Sequence, residues 1–252
     1  MDLGIAGKRV LVTAGSQGLG RVAALAFAQE GCRVAVIARD QAKLDQLLNE
    51  LGGPGKGHAV LSADLMEPQA PARALKALVA QGGPFDIVIH NLGGTLGLKD
   101  PLSAPERWAE VWRFNAGITI ELNNLVIPAM EERGWGRIVH ISSTAAESAR
   151  GSVPYAAAKA FLNTYVKGVG RAYASKGLVL SAIMPAAFES EGGHWARVRR
   201  DNPALVEDYV RHHHAIGRLG TPEDITPFLL FMASTHVTFA TAAVFAVDGG
   251  SM

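Results

Sequence analysis

The chain has a single cysteine, Cys32, in 252 residues. A lone thiol cannot close an internal disulfide, and there is no CxxC or paired Cys/His pattern for zinc, so no metal site is expected and a reducing cytoplasm is the expected compartment. Charge of one sign is scarce too: 24 Lys and Arg against 23 Asp and Glu leave a formal net charge of +1. That balance gives no global attraction to nucleic acid or to a membrane surface, and neither is expected as a partner. Met1 to Lys8 holds no apolar run of the kind a secretory signal needs, and no later stretch stays apolar for the ~20 residues of a bilayer span. Repeats and low-complexity linkers are lacking as well. What remains is 48% hydrophobic and 19% charged, the composition of an ordinary globular domain with a sizeable core.

What is present is alternation. Short β-rich runs at Arg9–Thr13, Arg33–Ala38, Ala59–Leu61, Asp86–His90, Arg137–Ser142, Leu178–Met184 and Ala243–Val247 each read as a buried strand. Helical patterns lie between them at Gly18–Glu30, Gln41–Leu51, Pro71–Gln81, Pro105–Arg133, Ser152–Ser175 and Pro222–Ser234. Regular alternation predicts a single α/β domain over residues 1–252, a Rossmann-type doubly wound parallel β-sheet with helices on both faces. Ligands in such sheets bind at the carboxyl ends of the strands.

Two stretches carry chemistry. The first strand runs into Thr13-Ala14-Gly15-Ser16-Gln17-Gly18-Leu19-Gly20 and then straight into a helix. Glycines permit a tight turn and close approach of a phosphate, while the free amides and dipole of the helix start attract its charge. The second stretch is Tyr155-Ala156-Ala157-Ala158-Lys159. Residues four apart share one helix face, so the phenol and the ammonium can share a site. Tyrosine titrates near pH ~10, and a nearby fixed positive charge favours the phenolate, which would let Tyr155 exchange a proton with a carbonyl or hydroxyl oxygen. Either pattern alone is weak, because glycine turns are often only turns and Tyr/Lys pairs occur on many solvated helices.

Their company makes them specific. Asp64 follows the third strand, His90-Asn91-Leu92-Gly93 the fourth and Ser142-Ser143 the fifth, Asn115 sits in the long helix, and Val247-Asp248-Gly249-Gly250 stands near the end. In this order the chain resembles the short-chain dehydrogenase/reductase family over essentially its whole length, and is similar to its 3-oxoacyl-[acyl-carrier-protein] reductase-like members. There are three departures. Ala14 stands where glycine is usual, His90-Asn91-Leu92-Gly93 replaces Asn-Asn-Ala-Gly, and Pro185-Ala186 replaces Pro-Gly.

The resemblance implies an NAD(P)-dependent oxidoreductase acting on a small carbonyl or secondary alcohol, with Asn115, Ser143, Tyr155 and Lys159 as its catalytic set. Tyr155 would be the acid/base. Lys159 would lower its pKa and bind the nicotinamide ribose, and Asn115 would hold a water linking Lys159 to solvent. A serine would hydrogen-bond the substrate oxygen; Ser142 and Ser143 compete, and the Ile-Ser-Ser pattern favours Ser143. Cofactor contacts are implied at Gly15, Ser16, Gln17, Gly18, Leu19, Gly20, Asp64, Leu65, Asn91, Gly93, Pro185, Phe188 and Ser190, together with Tyr155 and Lys159. At the end of the second strand, where NAD-binding members carry an acid, this chain has Ala38 followed by Arg39, so NADP(H) is favoured and NAD(H) is the alternative. Gln17 occupies the place of a second basic residue in many NADP-using relatives.

The substrate-covering segment is expected at about residues 186–217. Its Arg197, Arg199, Arg200 and Arg211 read either as receptors for an anionic or phosphorylated substrate or as a solvated charged face, and His212–His214 as a surface or lid feature. Three functions stay open: reduction of a polar ketone, reduction of a 3-oxoacyl thioester with Arg133 and Arg171 facing an acyl carrier protein, and non-catalytic nucleotide sensing. By resemblance the chain would form a homotetramer or homodimer through its two long helices and C-terminal strand.

Overall fold

The computed structural model describes residues 1–251. Seven strands, β1 (Arg9–Thr13), β2 (Arg33–Ala38), β3 (Ala59–Ser62), β4 (Ile87–His90), β5 (Gly136–Ile141), β6 (Leu178–Pro185) and β7 (Ala243–Val247), form one parallel sheet in the order β3-β2-β1-β4-β5-β6-β7. The central strands are apolar throughout because both of their faces are covered. Val10 and Val12 of β1 pack into one core with Val34 and Val36 of β2, while Leu11, Ala35 and Ile37 pack into the other.

Helices α1 (Gly18–Gln29), α2 (Gln41–Glu50) and α10 (Pro222–Ala233) cover the first face through Ala23, Phe27, Leu44, Leu47, Ile225 and Leu229. Helices α3 (Ala70–Gly82) and α5 (Ile118–Glu132) cover the second through Leu75, Leu78, Leu122 and Met130. Beside them, α7 (Val153–Tyr173) packs Leu162 and Val166 against Ala182 of β6.

Two segments differ from the sequence expectation. The helix expected over Pro105–Arg133 is interrupted: α4 (Pro105–Trp112) passes through a wide π-helical turn at Arg113–Gly117 before α5 begins. The turn is pinned by Asn115, whose side-chain Nδ2 donates to the carbonyls of Val111 and Gly94, both at 2.8 Å. Such turns displace a side chain from regular spacing and are frequent at functional sites. The segment expected to cover the substrate folds as two short helices, α8 (His194–Asp201) and α9 (Pro203–His213), which follow a single turn, α6 (Ala145–Ser148), in chain order. The break between α8 and α9 falls at Asn202-Pro203, where proline cannot extend α8 and the Asn202 side chain accepts from the Leu205 amide.

The junction of β1 and α1 is packed to backbone contact. A Cβ on Gly20 would lie 2.5 Å from Asn91 Nδ2 and 2.8 Å from both the Ala14 carbonyl and Gly15 Cα. Gly20→Ala must therefore move the chain, and urea unfolding is expected to show a loss of roughly 1–3 kcal/mol.

Candidate active site

The cofactor side begins with an unfinished helix. α2, α7 and α10 are capped by the side chains of Asp40, Ser152 and Thr221, but α1 has no side-chain cap at Gln17 and no acid in its first turn. Its first amides and its dipole are left for an anion. Gly18 has φ +56°, and a Cβ there would sit 3.2 Å from Ser190 Oγ, so Ser190 flanks the same turn. Ser16 and Leu19 are buried beneath it. This cradle fits a dinucleotide phosphate.

Ala14 takes φ +53°, a conformation that costs a non-glycine residue about 1–2 kcal/mol. The turn persists because β4 braces it. Asn91 Nδ2 donates to the carbonyls of Thr13 (3.2 Å) and Ala14 (3.1 Å), while the Asn91 and Leu92 amides donate to Thr13 Oγ1 at 3.0 and 3.2 Å. The Asn91 side chain is thus spent on bracing the turn.

At the adenosine end, Arg39 is 75% exposed and lies 4.0 Å from Asp64, whose Oδ1 accepts the Met66 amide at 2.9 Å. Leu65 is buried beside it. A second cation escaped the sequence reading: Lys43, in the first turn of α2, donates to Gln17 Oε1 at 2.5 Å. Lysine in the first turn opposes the helix dipole, and that mismatch was the available signal. Two cations at the end of β2 favour NADP(H), because a 2′-phosphate competes there only with loose, exposed partners, Asp64 at 4.0 Å from Arg39 and Asp40 at 3.9 Å from Lys43.

The catalytic side gathers at the ends of β4 and β5. The two serines point in different directions. Ser142 is buried with its hydroxyl 3.5 Å from the Lys159 carbonyl, whereas the Ser143 side chain faces the Tyr155 phenol, which it favours in its charged form, and its hydroxyl accepts the Ala145 amide at 3.1 Å. Lys159 is 2% exposed; its Nζ donates to the Ile141 carbonyl at 2.7 Å and stands 5.7 Å from the centre of the Tyr155 ring. Asn115 Oδ1 accepts the Gly94 amide at 2.9 Å. A Cβ on Gly93 would fall 2.7 Å from Asn115 Oδ1 and 2.9 Å from Lys159 Nζ, so glycine lets these two groups share one space. Pro185 closes β6, and Phe188 beyond it pairs with Gly220.

Electrostatics here differ from the sequence expectation. Burial raises the Tyr155 pKa above its ordinary value, with the Ser143 side chain pulling the other way. Burial also pushes Lys159 down to about 7, so its positive charge is only partly present at neutrality. The lowering of Tyr155 expected from Lys159 is not among these influences; burial is the largest of them.

A polar network unforeseen in the sequence lies next to this site. His90 and His140 are register partners on β4 and β5, stacked with ring centres 4.9 Å apart. Asn123 of α5 joins them: its Oδ1 accepts from His90 Nε2 (2.8 Å), and its Nδ2 donates to His140 Nε2 (3.2 Å) and Tyr165 Oη (3.1 Å). His140 Nδ1 donates to the Ser181 carbonyl at 3.0 Å. Both rings are therefore neutral. Burial drives His90 to about 4 and His140 well below its ordinary value, and the Lys159 charge acts in the same direction.

Two outcomes follow from these contacts. Arg39→Ala and Lys43→Ala should each raise the KM for NADPH about tenfold and leave that for NADH nearly unchanged, as read in parallel cofactor titrations. For His90, the folded pKa of about 4 lies below the unfolded value of about 6.5, so between those values only the unfolded chain takes up the proton and stability falls as the pH drops. Urea melts should lose about 2 kcal/mol from this group between pH 7 and pH 5. His90→Asn should remove that share of the loss and leave the share that His140 contributes.

Residues 8–200 match the family described as short chain dehydrogenase. Among curated relatives, 2-dehydro-3-deoxy-L-rhamnonate dehydrogenase (NAD(+)) of Sphingomonas sp. strain SKA58 is 33% identical over 259 residues, covering 97% of this chain and 95% of that one. 2-Keto-3-deoxy-L-fuconate dehydrogenase of Xanthomonas campestris pv. campestris is 32% identical, covering 97% of this chain and 80% of its own. The 3-oxoacyl-[acyl-carrier-protein] reductase of Vibrio cholerae is 27% identical, covering 98% of each. Among solved structures, L-sorbose reductase of Gluconobacter frateurii complexed with NADPH and L-sorbose superposes with a TM-score of 0.90 at 25% identity, over 99% of this chain and 98% of that one. The fold, the uncapped glycine turn and the matched residues lead to one conclusion: the chain belongs to the short-chain dehydrogenase family and is an NAD(P)-dependent oxidoreductase acting on CH–OH or C=O groups.

Proposed function

We propose that the protein is an NADP(H)-dependent reductase of a polar ketone, or the dehydrogenase of the corresponding secondary alcohol, with Tyr155 as its general acid/base. The observation that carries this reading is the meeting of Asn115, Ser143, Tyr155 and Lys159 at the ends of β4 and β5, on the same edge of the sheet as the glycine turn. Bound nicotinamide supplies or accepts the hydride. Ser143 hydrogen-bonds the substrate oxygen and aligns it with the Tyr155 phenol. Tyr155 donates the proton in reduction and accepts it in oxidation. Lys159, anchored on the Ile141 carbonyl, holds the nicotinamide ribose and feeds protons towards Tyr155, with Asn115 fixing the wide turn beside it. That NADPH or NADP accompanies several solved structures of similar fold supports the cofactor preference.

The 3-oxoacyl thioester reading is weaker. Arg133, one of the two basic groups it would offer to a carrier protein, is engaged at home, donating to the Phe85 carbonyl at 2.7 Å and lying 3.8 Å from Asp86. A nucleotide sensor would need only the cradle and not the Ser143–Tyr155–Lys159 group. No helix among the described residues is long and apolar enough to cross a membrane, and we place the protein in the cytoplasm, where buried Cys32 stays reduced. Exposed Trp112, Leu125 and Phe161 on α4, α5 and α7, and exposed Phe228, Phe231 and Phe245 on α10 and β7, supply two apolar surfaces that suit a homotetramer.

Tyr155→Phe tests the assignment of the acid/base. It should leave the NADPH dissociation constant within about twofold and cut kcat by roughly 10²–10⁴-fold, measured by fluorescence titration and NADPH oxidation. Retained turnover would remove Tyr155 from the mechanism.

A further inference from the structure

The loops after β4, β5 and β6 meet over the catalytic edge, and each brings a cation. Arg150 lies in the loop leading from α6 into α7, five residues before Tyr155, and its Nη1 donates to His213 Nδ1 of α9 at 3.1 Å. That contact requires a neutral His213 with its proton on Nε2. Arg197 of α8 and Lys99 of the loop after β4 both act on His194, lowering its pKa after burial has done so. Other arginines nearby are neutralised. Arg199 is paired with Glu189 at 2.5 Å, Arg200 with Asp201 at 2.8 Å and Arg218 with Asp224 at 2.6 Å. Arg150 and Lys99 have no carboxylate within ion-pair distance among the described residues, and Arg197 acts only at longer range on Asp201, which is itself paired with Arg200.

Between these cations runs a row of rings. His194 stands 5.4 Å from Trp195, Trp195 4.3 Å from Tyr209, and Tyr209 4.8 Å from His213, the ring that accepts from Arg150. Arg150 also acts on Tyr209 directly, its charge favouring the phenolate against the effect of burial. Aromatic faces suit the C–H faces of a short hydroxylated chain, and an unpaired guanidinium presents a planar fork to a carboxylate. Lys99 and Arg197 thus stand at the His194 end of the row and Arg150 at its His213 end.

We propose that the substrate is a small polyhydroxy keto acid, or the corresponding hydroxy acid, whose carboxylate is received by Arg150 while its carbon chain lies along Trp195 and Tyr209. The proposal rests on the reading of Tyr155 as the acid/base and adds the identity of the group held at the far end of the substrate. His213 is a positioning residue: its neutral ring fixes the plane of the Arg150 fork. Two of the relatives above act, by name, on dehydro-deoxy sugar acids, which carry such a carboxylate.

The test compares NADPH oxidation with 5-keto-D-gluconate, a polyhydroxy keto acid whose ketone is separated from its carboxylate by hydroxylated carbons, the neutral ketose D-fructose, D-fructose 6-phosphate and acetoacetyl-CoA. Wild type should prefer the keto acid to D-fructose by about 100-fold in kcat/KM. Arg150→Ala should lower the ratio of the two kcat/KM values by about 100-fold, chiefly through the KM of the keto acid. Arg150→Lys should restore part of that ratio, and His213→Ala should lower it about tenfold. NADPH titration of each variant checks that the cradle is folded. A purely structural tie between Arg150 and α9 would depress both substrates alike and leave the ratio unmoved, which would overturn the proposal. A preference for the phosphate ester, lost in Arg150→Ala, would overturn the carboxylate in favour of a phosphate. Preference for acetoacetyl-CoA would overturn the sugar-acid class while leaving Tyr155 in place. No oxidation with any of these carbonyls, at intact NADPH binding, would overturn this proposal alone and leave the reading of Tyr155 to the Tyr155→Phe test.

Discussion

A parallel sheet buried on both faces has no solvated face on which to place polar chemistry. Its strands must be apolar on both sides, as Val10, Leu11 and Val12 are, and polar groups can gather only where the strands stop. In this protein that edge opens between β1 and β4, where the strand order changes direction. The gap is held by a small set of hydrogen bonds between Thr13, Ala14 and Asn91. With those bonds in place the glycine turn keeps its shape even with a left-handed alanine in it, the start of α1 stays uncapped, and Gly93 can bring Asn115 and Lys159 into one space. Cofactor cradle and proton-transfer groups thus depend on the same brace.

Behind that edge the site is governed by desolvation. Lys159 is buried with a backbone carbonyl as its hydrogen-bond acceptor, and its pKa falls to about 7. A buried ammonium this close to neutrality gains or loses its proton with small changes in its surroundings. The stacked His90 and His140 fit beside it because they are neutral, with Asn123 and the Ser181 carbonyl fixing which nitrogen carries each proton. Charged imidazoles there would raise the cost of the Lys159 charge further. The network therefore supplies polar rigidity between β4, β5, α5 and α7 without adding charge, which a pair of acids or lysines in the same place would do.

Sequence made the strands legible because buried parallel strands are continuous apolar runs bounded by turns, and every expected strand lies within one residue of its observed ends. The glycine turn and the Tyr155/Lys159 pair were equally readable, being local patterns of fixed spacing. What was not readable was set by contacts across the chain. The wide turn at Arg113–Gly117 depends on Asn115 finding the Gly94 carbonyl, 21 residues away. His90 and His140 look like unrelated strand residues until β4 and β5 are placed in register. Lys43 becomes a cofactor-side cation only when α2 is turned so that it reaches Gln17. Ser142 and Ser143 are indistinguishable by pattern; just beyond the end of β5 they face opposite ways, one packing under Lys159 and the other turned to Tyr155.

The lid obeys a different balance. Among all residues of α8 and α9 only Val206 is buried; the rest of their hold comes from aromatic contacts, exposed ion pairs such as Arg199–Glu189, and the Arg150–His213 hydrogen bond. Exposed pairs of this kind contribute about 0–1 kcal/mol each, so these helices belong to the least stable part of the molecule. The groups proposed for proton transfer, such as Lys159 and Asn115, are by contrast almost wholly enclosed. A weakly held lid can open to admit substrate and can change its cations and rings at little cost to folding. Neither change disturbs the site beneath. On the proposed reading, substrate choice falls where the structure yields most easily and proton transfer where it yields least.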